Sequence, residues 1–171
     1  MRPETTSGAS ASGVRVSDTV NVSHAVGRAD MYDAILCPTD GSAGSAVATE
    51  QACGLAALTG ARVHALFVVD EGIAGADEWD VVVEREEARG ERALDAVAEA
   101  AAARGVECEL HLRRGRPHEE ILDAAADYGV DLIAMGTHGR TGIGRFIAAG
   151  SVAERVVRYS ELPVLTAHVG E

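Results

Sequence analysis

The residues best suited to chemistry in this chain lie between positions 136 and 151. They read Gly136-Thr137-His138-Gly139-Arg140-Thr141-Gly142-Ile143-Gly144-Arg145-Phe146-Ile147-Ala148-Ala149-Gly150-Ser151. Glycines let backbone N–H groups approach an anion closely and take up positive φ. Ser151 opens a helical stretch, whose free N–H groups and dipole favour phosphate. Arg140 and Arg145 add charge in an otherwise acidic chain. These residue types could capture a phosphate group. They also fit a plain connection whose glycines only make turns.

The other reactive side chains are less organised. His64 and His111 have strand spacing and no acidic or cysteine partner in metal register, so no metal site is expected. His138 fits a proton shuttle, a phosphoryl acceptor or an exposed loop histidine. His118, at a helix start, has a structural reading. Ser42 and Ser151 lack an adjacent histidine, and no nucleophile, base and orienting residue form a set. The fifteen basic residues are all arginine. Without lysine, a P-loop Gly-Lys-Ser/Thr motif and Schiff-base catalysis are both excluded.

The elements that must position these residues follow from periodicity. Ala34–Pro38 is a short apolar run ending in Thr39-Asp40-Gly41-Ser42. Ser42 can cap the alanine-rich helix that follows, which stops near Gly60. Arg62–Val69 is strand-like and ends in Asp70-Glu71-Gly72. Residues 71–81 read as a polar loop holding the only tryptophan, Trp79. Residues 82–104 are helical, with Leu94, Val97, Ala98 and Ala101 as the stripe. Val106–Arg113 alternates, with Val106, Cys108, Leu110 and Leu112 on one side. Pro117 suits the first position of a helix with Glu119 and Glu120 in its first turn. Ile121, Leu122, Ala125 and Tyr128 form its buried face, and Gly129 ends it. Asp131–Met135 is a continuous apolar strand. Ser151–Tyr159 is a helix with Val152, Val156 and Tyr159 on one stripe, and Pro163–His168 is a last strand.

Five strands alternating with four helices predict an α/β domain, a single five-stranded parallel sheet with helices on both faces. Ligands of such sheets bind beyond the carboxyl ends of the strands, where the strand order switches. Thr39-Asp40, Val68–Asp70 and the glycine-rich segment all fall at those ends.

The whole chain has 171 residues, enough for one ordinary domain. Residues 1–30 are rich in Ser, Ala, Gly and Thr without sustained periodicity and read as a disordered extension. Met31 is a candidate translation start. The formal net charge of −12 disfavours nucleic-acid binding. It also suggests a protein suited to high salt, where self-repulsion is screened. No apolar run approaches bilayer length, and no secretory signal is visible. Cys37, Cys53 and Cys108 form no Cys-x-x-Cys pair and read as reduced thiols of a cytoplasmic protein.

From Met31 to His168 the chain resembles the universal stress protein family. Ala34–Ser42 (AILCPTDGS), Phe67–Asp70 (FVVD), Gly115–Ile121 (GRPHEEI), Met135–Val157 and Pro163–Leu165 carry the resemblance, in the right order. The glycine-rich segment is similar to that of the ATP-binding branch. It departs in one respect: ten residues separate Gly139 from Gly150, where the family has nine. The resemblance implies an adenine-nucleotide α-hydrolase-like fold over 31–171, strand order 3-2-1-4-5 and a homodimer paired through Pro163–His168. It implies an ATP site, with Mg²⁺ held largely by the phosphates. Val68 would meet adenine through its backbone. Asp40 would lie near the ribose, with Thr39 beside it and Met135 and Gly136 nearby. Gly139, Gly150, Ser151 and Val152 would bind phosphate. Beside these roles, Asp40 also fits a helix-capping acid, and Trp79 fits either the adenine pocket or the core edge.

Three functions are then expected to compete. One is a nucleotide-binding stress or regulatory module with unidentified protein partners. Another is a non-binding interaction protein of the same fold. The last is a slow ATPase or self-phosphorylating protein.

Overall fold

A computed structural model of the protein describes residues 31–72, 79–137 and 152–168. The extension 1–30 lies outside the described residues, as do Gly139, Gly150, Ser151, His138, Arg140 and Arg145. The elements run β1 (Ala34–Pro38), α1 (Ala43–Thr59), β2 (Arg62–Asp70), α2 (Trp79–Ala102), β3 (Cys108–Gly115), α3 (Pro117–Asp127), β4 (Leu132–Gly136), α4 (Val152–Tyr159) and β5 (Val164–Ala167).

All pairings are parallel and the strand order is β3-β2-β1-β4-β5. The order follows from the handedness of the crossovers. A right-handed β-helix-β connection places its helix on a face fixed by the direction of travel. The chain steps outward from β1 to β2 to β3, so α1 and α2 share one face. There Ala52, Cys53, Ala56, Leu94, Val97 and Ala101 bury Ile35, Cys37, Val63 and Phe67. It then returns across the sheet to β4 and β5, so α3 and α4 cover the opposite face. Ile121, Ala124, Ala125, Ala153 and Val156 bury Leu36, Leu66, Ile133 and Met135. Both faces of β1 and β4 are therefore dry, and their sequences read as continuous apolar runs.

Local signals fix the helix ends. Ser42 accepts from the Ser45 N–H (3.2 Å), and Gly60 closes α1 in the left-handed region at φ 81°. Pro117 starts α3 and Glu119 and Glu120 occupy its first turn. Gly90 is a packing glycine inside α2, where a β-carbon would stand 2.6 Å from the Phe67 ring.

Two expectations are corrected. Trp79 opens α2 and does not belong to the preceding loop; Asp80 in its first turn complements the helix dipole. The side chain of Trp79 lies outside the described part, so neither role foreseen for it is tested. In α4 the buried residues are Ala153 and Val156, while Val152 and Tyr159 are exposed. The space under this short helix admits an alanine where the stripe expected a valine.

Candidate functional site

The direction of travel reverses between β1 and β4. The chain leaves β1 toward α1 on one face, and α4 lies on the other, so a crevice opens between the carboxyl ends of these strands. The Thr39 N–H donates to the Leu66 carbonyl (2.8 Å), a rung just past the end of β1. Consecutive residues of a strand direct their N–H and C=O groups to alternate edges. Val63 bonds Glu107 on the β3 side, and Glu71 bonds Gly115 on that side too. Odd-numbered residues of β2 therefore face β3, and even-numbered ones face β1. Val68 has the edge of Leu66 but lies beyond the reach of β1, whose register ends at Pro38 opposite Leu66. Its peptide groups face the crevice.

The floor of the crevice is the turn between β1 and α1. The Asp40 Oδ1 accepts from the Ser42 N–H (2.9 Å), and the Thr39 hydroxyl accepts from the Gly41 N–H (3.2 Å). The Thr39 hydroxyl also donates to the Ser45 hydroxyl (3.2 Å), which donates onward to the Ser42 carbonyl (2.9 Å). Thr39, Ser42 and Ser45 are buried, so this chain of short polar side chains fixes the turn from below.

Gly136 closes the other side. A β-carbon there would stand 2.6 Å from the Gly44 carbonyl carbon and 2.8 Å from the Ser45 nitrogen. A glycine at 136 lets the end of β4 approach the first turn of α1 this closely. Met135 is 5% exposed in the α3/α4 core. Its side chain supports the crevice from beneath. Thr137 continues the strand edge, its N–H donating to the Ala167 carbonyl (2.9 Å).

Arg89 reaches this turn from α2. Its Nη2 donates to the Asp40 carbonyl (2.7 Å), and its Nη1 donates to Glu86 (2.6 Å). The guanidinium lies 5.4 Å from the centre of the Phe67 ring. Its buried Nε has no acceptor among the described residues.

The structure thus brings together Thr39, Asp40, Val68, Met135 and Gly136. Val152 is the first residue of α4 and is exposed. Sequence reasoning missed Arg89, which lies mid-helix in a charged run and carries no motif.

It also missed a second cluster, away from the crevice. The reading that His64 and His111 lack an acidic partner is corrected. Glu109 sits opposite His64 in the β2–β3 register and two residues before His111. All three project to one face of the sheet, and Glu109 Oε2 lies 3.8 Å from His64 Nδ1 and 3.9 Å from His111 Nε2. The missed signal was Glu109-x-His111, which alternation places on one side of a strand.

Comparison with known proteins agrees with this architecture. The Universal stress protein family matches residues 31–168. Universal stress protein MJ0531 of Methanocaldococcus jannaschii is 38% identical over 140 residues, covering 80% of this chain and 82% of that protein. Universal stress protein MJ0577 of the same organism is 32% identical over 155 residues, covering 79% and 94%. A solved structure of MJ0577 superposes with a TM-score of 0.73 at 31% identity, covering 82% of this chain and 99% of the other. A universal stress protein solved in complex with cAMP superposes with a TM-score of 0.61 at 26% identity, covering 81% and 98%. Family match, identity and strand order agree over the same segment, and the chain belongs to the universal stress protein family.

Proposed function

We propose that the crevice binds an adenine nucleotide, ATP with Mg²⁺, and that the protein is a nucleotide-responsive regulatory module of the stress response. The observation that carries this reading is the Val68 peptide, whose N–H and C=O face the crevice beyond the last β1 rung. A purine edge offers the complementary acceptor and donor groups. Gly136 presents no side chain at the end of β4, which suits a sugar lying against the backbone. The relative solved in complex with cAMP supports an adenine nucleotide as the ligand.

In this reading Asp40 holds the ribose hydroxyls, with Thr39, Met135 and Gly136 shaping that subsite. Gly139, Gly150, Ser151 and Val152 hold the phosphates, and the phosphates supply most of the Mg²⁺ ligands. The bound nucleotide shifts the populations of conformers that partner proteins read. The module acts in the cytoplasm as a homodimer. The position of β5 at the edge of the described strands supports pairing there.

Calorimetric titration of ATP–Mg²⁺ into the protein in molar KCl tests the reading. One saturable site per chain is the expected result. No heat at millimolar ATP, at two temperatures, transfers the protein to the non-binding interaction class.

A further inference from the structure

His64, Glu109 and His111 form a cluster that the crevice does not use. His64 Nδ1 and His111 Nε2 are 3.0 Å apart across the β2–β3 ladder. We propose that these two ring nitrogens and the Glu109 carboxylate bind a divalent first-row transition ion, with Zn²⁺ as the prototype. The ligand atoms of the three lie within 4.8 Å of one another.

The geometry suits such an ion. Zinc binds histidine nitrogen at about 2.0–2.1 Å, so neighbouring ligand atoms around it sit about 3.3 Å apart in a tetrahedron and about 2.9 Å at a right angle. The 3.0 Å nitrogen separation falls inside that interval. The carboxylate oxygen, at 3.8 and 3.9 Å, must close by about half an ångström. Glu109 is 45% exposed and can swing that far. Two histidines and one carboxylate leave a coordination position for water.

The surroundings hold the ligands in place. The Tyr128 ring stacks on His111 at 4.1 Å and 19° between planes, and on His64 at 5.2 Å. Arg113 Nε donates to the Tyr128 hydroxyl (3.0 Å), fixing that ring in turn. These stacked rings limit how far the two imidazoles can turn. Burial pushes both imidazoles below the ordinary histidine value, which favours the neutral ring whose one free nitrogen can ligate an ion. The nearby cations oppose an ion only weakly. Arg113 is neutralised by Asp127 (2.6 Å) and Glu120 (3.6 Å); Arg62 lies 3.8 Å from the other Glu109 oxygen, Oε1, and at 52% exposure this pair is screened by water and leaves Oε2 for the ion.

The ion would join edge strand β3 to β2. A hydrogen bond between two neutral imidazoles explains the 3.0 Å contact equally well, and titration separates the two. Chelator-washed full-length protein, free of nucleotide, is titrated with Zn²⁺ by calorimetry and with Co²⁺ by visible absorption. The expected result is one ion per chain and a Co²⁺ d–d band. His111→Gln and Glu109→Gln should each weaken Zn²⁺ affinity, the histidine variant by more than about 100-fold, the upper range for losing an outer-shell partner. Circular dichroism checks that both variants fold. If His111→Gln does not, the more exposed Glu109→Gln decides. No binding by the parent protein, or unchanged binding by the folded variants, overturns the proposal. Because no nucleotide is present, either result is independent of the crevice.

Discussion

A methyl group on Gly136 would stand 2.6 Å from the carbonyl carbon of Gly44. The obstacle is backbone at the start of α1, which cannot rotate aside as a side chain can. Gly136→Ala should therefore displace the first turn of α1 and with it the Thr39–Ser45 network. Overpacking of this kind costs about 1–3 kcal/mol. Urea unfolding should show that loss, and ATP affinity should fall with it. An unchanged midpoint would mean that the sheet end yields freely.

The proposed function gives Asp40 two separable roles. Its Oδ1 accepts from the Ser42 N–H, an interaction an asparagine oxygen can replace. Asp40→Asn should keep stability and weaken nucleotide binding if the charge matters at the ribose. Asp40→Ala should lose about 1 kcal/mol of stability as well. Titration calorimetry and urea melts on the pair separate site from scaffold. If both variants bind ATP like the parent, Asp40 only caps the turn.

The edge of β5 gives a test of assembly. The Ala167 carbonyl accepts from Thr137 and the Pro163 carbonyl accepts from Ile133, so odd-numbered residues face β4. Thr166 must then direct its N–H outward. Thr166→Pro deletes that donor without touching the β4–β5 ladder. The expected result is a folded monomer in sedimentation velocity. A dimer that survives it is held elsewhere.

The thiols set an alkaline limit. Burial pushes Cys37 up to about 12 and Cys53 up to about 11, from an ordinary 9.0. Below the ordinary value both folded and unfolded chains keep these protons. Above it the unfolded chain releases them first, so stability falls as pH rises toward the folded values. The chain has no lysine, so no lysine ammonium titrates in this range. Urea midpoints should drop between about pH 8 and about pH 11, and drop less in Cys37→Ala. Equal drops would mean that the burial of Cys37 does not set this limit.

Much of the fold was legible because its signals are local. Ser42, Gly60, Pro117 and Gly129 mark helix ends by the bonds and φ values that only certain residues supply. The apolar runs Ala34–Pro38 and Leu132–Gly136 announce strands buried on both faces. The errors arose where tertiary space decides. Val152, Val156 and Tyr159 make a good stripe, yet α4 turns Ala153 inward. The site was legible in part, since Thr39, Asp40 and Val68 lie at strand ends. Arg89 reaches Asp40 across 49 residues, and nothing local announces such a contact. Glu109 was hidden differently, because its partner His64 is adjacent only through strand register.

The grip of Arg89 on the Asp40 carbonyl makes the floor of the crevice and the long outer helix a single mechanical unit. The guanidinium rests on Phe67, and Phe67 in turn fills the notch left by Gly90 on the same helix. A ligand that tilts the Asp40 peptide must either drag α2 along or break a bond of 2.7 Å to a charged donor. The outward face of α2 carries Glu84, Arg85, Glu91, Arg92 and Asp95. Those charges ride on the far arm of a lever whose short arm is the crevice floor. If the crevice is occupied as proposed, the position of that charged surface would follow the occupant.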